Sequence, residues 1–131
     1  MILLDTHAWL WLAIAPKKLS RPATRAIQQA TKNAGIAIAS ITLLESAWLF
    51  ANGRMRSPGT IAQAVAQLVD RTRVQVLELT SEVAATAVQL PASIPKDPAD
   101  RLIVATALCH AVPLVTRDAR IQDSGACRVV W

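Results

Sequence analysis

Ile2-Leu3-Leu4-Asp5 opens the chain with three large aliphatic residues closed by a carboxylate. With no polar residue interleaved, such a run suits a strand covered on both faces, as in a parallel sheet. Ile36-Ala37-Ile38-Ala39 repeats the pattern, and each run leads into a helix-like stretch, His7 to Ile14 and Ile41 to Ala51. Further strands are expected over Val74 to Leu79, at Val112-Pro113-Leu114-Val115, and over Arg128 to Val130. Helices are expected from Ser20 to Asn33-Ala34-Gly35, over residues 60–70, from Ser81 to Leu90 behind a Thr80 cap, and from Pro98, capped by Asp97, to about His110. A short helix should follow Asp118. Strand and helix thus alternate from end to end, which predicts an α/β fold, a three-layer sandwich with a central, mainly parallel sheet flanked by helices. No linker or repeat interrupts the 131 residues, so one domain over 1–131 is expected.

Hydrophobic residues make up 53% of the chain and charged residues only 18%, which argues against disorder and suggests that a partner covers some apolar surface. The formal charge of +5 favours a polyanionic partner. Lys17, Lys18, Arg54, Arg56, Arg117 and Arg120 are dispersed, as in a positive rim. Cys109 and Cys127 have neither CxxC spacing nor neighbouring ligands and are read as reduced and buried. Residues 1–15 are apolar but lack a positive leader, and the apolar stretch Gly35 to Ala51 holds Ser40, Thr42, Glu45 and Ser46. Neither reads as an export or membrane segment, and a cytoplasmic location is expected.

Four carboxylates fall where a strand ends or in the first turn of a following helix: Asp5, Glu45, Asp100 and Asp118. In an open α/β sheet those places converge on one edge, where ligands bind. Two carboxylates about 4 Å apart repel by roughly 4 kcal/mol at an effective dielectric near 20. A hard divalent cation, Mg²⁺ or Mn²⁺, would remove that cost at an all-oxygen site. Each acid also has a local reading: Glu45 with Thr42 as a capping box, Asp100 at the positive end of its helix, Asp118 as a cap. Metal-assisted phosphodiester hydrolysis fits the joint pattern and needs no protein nucleophile. Nucleophile elbows, phosphate loops and dinucleotide fingerprints are absent. His7 is read as a helix-start histidine bonded to backbone and His110 as a charge partner at a helix end.

The segments D-T-H-A-W-L-W, T-L-L-E-S-A-W-L with N-G-R soon after, D-P-A-D-R-L-I-V-A-T-A and P-L-V-T-R-D together resemble the PIN-domain ribonucleases, in particular VapC-type toxins of bacterial toxin–antitoxin pairs. That resemblance spans residues 1–131. It implies metal-binding and catalytic roles for Asp5, Glu45, Asp100 and Asp118, with Asp5 and Asp100 foremost as direct Mg²⁺ ligands and Asp97 as a cap. It gives Thr6 and Thr116 a part in orienting metal, water or phosphate, although each hydroxyl could equally tie down its strand end. Arg101 and Arg117 would meet the RNA backbone or pair with a neighbouring acid. The resemblance further implies an RNA substrate, a homodimer, and an antitoxin whose tail crosses the site. Trp9, Trp11 and Trp48 could anchor that tail or belong to the core. Competing readings are a housekeeping RNA-processing nuclease, a receiver-like phosphoacceptor, for which the last strand lacks a lysine, and an RNA-binding module without turnover.

Overall fold

Side-chain alternation along the strands divides the interior in two. In the computed structural model, which describes residues 1–131, Ile2, Leu4, Ile36, Ile38 and Val115 belong to one apolar cluster, and Leu3, Ala37, Ala39 and Leu114 to another. The strands are β1 (Ile2–Leu4), β2 (Ile36–Ala39), β3 (Gln75–Leu77), β4 (Leu114–Val115) and β5 (Val129–Val130). Because β1, β2 and β4 are buried on both faces, every residue in them is apolar.

Seven helices cover the sheet: α1 (Thr6–Ile14), α2 (Arg21–Lys32), α3 (Ile41–Ala51), α4 (Ile61–Thr72), α5 (Ser81–Gln89), α6 (Pro98–Cys109) and α7 (Ala119–Ser124). Trp9 and Leu10 of α1, Ile27 of α2 and Leu68 of α4 fill the first cluster. Ile103 and Val104 of α6 and Ile121 of α7 fill the second. The expected three-layer architecture is therefore present. Trp9 is fully buried, and its indole N–H donates to Thr72 Oγ1 at 2.8 Å, pinning α1 to α4.

All strand pairs are parallel, in the order β3-β2-β1-β4-β5. The chain steps outward from β1 to β3, then returns past β1 to lay down β4 and β5. The order thus reverses between β1 and β4, which opens a crevice beyond their carboxyl ends.

Local rules account for most boundaries. Ser20 and Thr80 cap α2 and α5 as expected, each accepting a backbone N–H on its side-chain oxygen. Gly35 ends the turn after α2 at φ +93°, a conformation that a side chain would strain. β3 is shorter than the stretch Val74 to Leu79. It pairs only with β2, and β2 ends at Ala39 as the chain turns into α3, so nothing remains for Glu78 to bond. The cysteines are free but half-buried, not buried. No helix is long and apolar enough to cross a membrane.

Candidate active site

Asp5 leaves β1 and Asp118 follows β4, so the two flank the switch point. Glu45 comes from α3 and Asp100 from the start of α6. All four line one crevice of about 540 Å³ together with Asp97, His7, Trp11, Arg117 and Arg120. Five of the nine carboxylate side chains in the chain are thereby concentrated at one sheet edge. Such crowding is electrostatically costly even on a net-positive molecule, and a bound cation would relieve it.

Each acid is held differently. Asp5 caps α1, its Oδ1 accepting from Ala8 N at 2.7 Å, and its carboxylate also accepts a hydrogen bond from the Thr116 hydroxyl. Burial nonetheless raises its pKa, and Glu45 adds to the rise against the opposing pull of Thr116, Ala8 and His7. Thr116 is fully buried and in turn accepts from Asp118 N at 3.1 Å, so one hydroxyl joins the ends of β1 and β4. Glu45 is held by Thr6, whose Oγ1 donates to Oε1 at 2.5 Å. Since that donation uses the only Thr6 hydroxyl proton, the buried Thr42 hydroxyl, 3.0 Å away, must donate to Thr6. The result is a relay, Thr42 to Thr6 to Glu45.

Asp100 accepts no hydrogen bond from the protein apart from a long ion pair, 3.9 Å from Arg120. Burial, then the charges of Asp97, Asp118 and Glu45, push its pKa up to about 6, with Arg120 only partly opposing them. Asp97 is the helix cap, accepting from Ala99 N at 2.8 Å and Asp100 N at 3.3 Å. Asp118 caps α7 and forms a forked pair with Arg120, Nε to Oδ1 at 3.2 Å and an Nη to Oδ2 at 2.9 Å. That hydrogen-bonded pairing lowers its pKa.

Several expectations change. The Thr42–Glu45 capping box does not form. Ser40 is at the cap position and makes no side-chain bond, Thr42 turns inward to Thr6, and Glu45 stands in the second turn of α3. Arg101 pairs with no acid. Its guanidinium donates to the carbonyls of Ala87 (3.0 Å), Leu90 (2.6 Å) and Ile94 (3.5 Å), closing the end of α5 and the loop after it. His7 is exposed on the crevice wall, its ring 5.8 Å from that of Trp11, and is not tied to backbone. The three tryptophans divide: Trp9 is core, Trp11 lines the crevice, and Trp48 is 62% exposed outside it. Arg54 and Arg56 do not rim the crevice. They line a separate cavity with Ile14, about 13 Å along α1 from Asp5.

Two contributors escaped the sequence reading: Thr42, seen only as a cap, and Arg120, seen only as part of a dispersed rim. The D-x-R spacing at the start of α7 was the available signal, since an arginine two residues past a capping aspartate can fold back on it.

The four acids share the crevice without forming a closed cage, and no three stand close enough to hold an ion as they are arranged. Three of them are turned toward partners inside the protein. The donor set still fits a hard divalent cation: it is all oxygen, two of its carboxylates are destabilised as anions by burial and mutual charge, and a neighbouring guanidinium only partly relieves Asp100.

The family described as PIN domain matches residues 2–125. This chain belongs to the PIN-domain family. It is 41% identical over 122 residues, 93% of its length and 90% of the relative's, to Ribonuclease VapC22 of Mycobacterium tuberculosis. Among solved structures, this PIN domain superposes on VapBC2 from Rickettsia felis bound to a promoter DNA fragment with a TM-score of 0.71 and 18% identity, covering 98% of this chain and 97% of that one. DNA-bound VapBC from Salmonella typhimurium gives a TM-score of 0.69 at 21% identity, with coverage of 98% and 97%. At those identities the structural matches speak for the fold alone.

Proposed function

We propose that this PIN domain is a single-domain endoribonuclease, the toxin of a toxin–antitoxin pair, that hydrolyses RNA phosphodiesters with Mg²⁺ or Mn²⁺ in the cytoplasm. The observation that carries this reading is the gathering of Asp5, Glu45, Asp100 and Asp118 in one crevice. The 41% identity to a VapC ribonuclease supports it. Asp5 and Asp100 would be the direct ligands, joined by Glu45 and Asp118. When bound, a divalent cation supplies positive charge for the phosphate and lowers the pKa of a water. The chain's own groups orient the reaction. Thr6 engages Glu45 Oε1 and leaves Oε2 to hydrogen-bond the attacking water. Thr116 holds Asp5, and Arg117, exposed and unpaired at the crevice, is placed to take an RNA phosphate. Incubating the purified protein with RNA tests the reading: cleavage should appear with Mg²⁺ or Mn²⁺. RNA left intact with either ion would leave a binding module in its place.

Thr6→Val should keep the fold and lose much of the activity. Removing the hydroxyl releases Glu45 and strands the buried Thr42 hydroxyl, so stability should fall by about 1–2 kcal/mol and cleavage by about 10- to 100-fold. Denaturation and RNA cleavage measured on one preparation separate the two effects. Equal cleavage by wild type and variant would remove the relay from the mechanism.

The antitoxin is expected along α3. Leu43, Leu44 and Ala47 face Ile61, Val65 and Val69 of α4 across an apolar groove of about 650 Å³. Leu44 is 52% exposed, and α3 also carries Glu45, so one helix contributes to both the groove and the acidic crevice. An amphipathic helix ending in a basic tail complements both. Leu44→Asp should weaken antitoxin binding by about tenfold or more, measured by calorimetry with the co-encoded antitoxin. Unchanged affinity would move the partner elsewhere. A homodimer is part of the proposal, and a housekeeping nuclease is the alternative if no antitoxin gene adjoins this one.

A further inference from the structure

Arg120 is the only arginine or lysine of the fourteen that forms a side-chain ion pair, and both of its partners belong to the acidic crevice. Its guanidinium grips both oxygens of Asp118 and reaches to 3.9 Å from Asp100 Oδ2. Those carboxylates come from different elements, α6 and the start of α7, so the contact spans the crevice. Arg117, three residues away on the same wall, makes no such pair. The Arg120 side chain is 68% exposed, so nothing packs it in place and it can swing away at little cost.

We propose that Arg120 is an internal stand-in for the site's cation, bridging Asp118 and Asp100 in the ion-free protein and competing with a divalent ion for the same oxygens. The inference rests on the nuclease reading only in taking those acids as metal ligands. A carboxylate whose oxygens accept a forked guanidinium cannot also turn both toward an ion. Ion entry therefore requires the fork to open, and the released guanidinium is left at the crevice mouth, where a phosphodiester would arrive. Such an arm makes the ion-free crevice tolerable and sets a threshold for filling it.

The test compares wild type, Arg120→Ala, Arg120→Lys and Arg117→Ala in Mn²⁺ binding by calorimetry without RNA, and in thermal melting with EDTA or with Mn²⁺. Arg120→Ala should bind Mn²⁺ about threefold more tightly than wild type. Arg120→Lys, which keeps the charge but lacks the fork, should fall between them. Arg117→Ala removes the same charge without a carboxylate contact and should change affinity less. Arg120→Ala should melt below wild type in EDTA and regain the difference with Mn²⁺, whereas a merely structural arginine would lower both. The gain in affinity should shrink as KCl is raised. Mn²⁺ binding by Arg120→Ala that is equal to or weaker than wild type overturns the proposal while leaving the metal site standing. No Mn²⁺ binding by any of the four proteins removes the metal site, and the stand-in with it.

Discussion

Asp100→Asn is expected to abolish RNA cleavage, by more than about 100-fold, while making the ion-free protein more stable at pH 7.5. The two effects share one cause. Asp100 is pushed up to a pKa of about 6 by burial and by Asp97, Asp118 and Glu45. Between the unfolded value near 3.9 and about 6, the folded state holds more protons than the unfolded state, so stability falls as pH rises through that window. Above pH 7 the full penalty is present. Because the side chain keeps 29% of its exposure, solvent screens part of it, and a gain of about 1–2 kcal/mol is expected for the asparagine. Asp118 acts in the opposite sense: its pKa is lowered by Arg120, and its contribution is lost as pH falls. Denaturant melts at pH 5 and 7.5 check the sign. A wild-type protein equally stable at both, with an inert substitution at position 100, would show that Asp100 is not crowded as described. Asp5→Asn should lose as much cleavage, yet asparagine still caps a helix, so α1 should survive.

Removing divalent ions should have the other large effect. With EDTA, cleavage should fall to background and return with excess Mg²⁺ or Mn²⁺, because no arrangement for a protein nucleophile is present to act alone. Mn²⁺ should also raise the melting temperature, more at pH 7.5 than at pH 5.5, since ligands that hold protons at low pH must release them to bind. Cleavage that persists in EDTA would assign the chemistry to another mechanism.

The strands and helices were legible because the chain marks them locally. β2 and α3 fall where apolar runs and the Asn52-Gly53 stop place them, and Asp97-Pro98 announces α6. β3 was read too long because its end depends on where β2 leaves the sheet, a fact about a neighbour. The same distinction governs the site. Asp5, Asp100 and Asp118 each sit at a boundary the sequence marks, so their convergence followed from topology. Glu45 was placed a turn early because the capping pattern with Thr42 is local, whereas the partner that claims Thr42 lies 36 residues away. Arg101 misled for a similar reason: its place beside Asp100 in sequence says nothing of the three carbonyls that α5 and its loop present to it.

The concentration of acids at one edge shapes how a nucleic acid approaches. Outside the crevice only four carboxylate side chains remain against twelve lysines and arginines. A polyanion is drawn to almost any part of this surface and turned away from the one hollow where it would be cut. A divalent ion bound in the hollow would offset most of that local charge, so ion first and strand second would be the favoured sequence of loading, and encounters made without the ion would end in release.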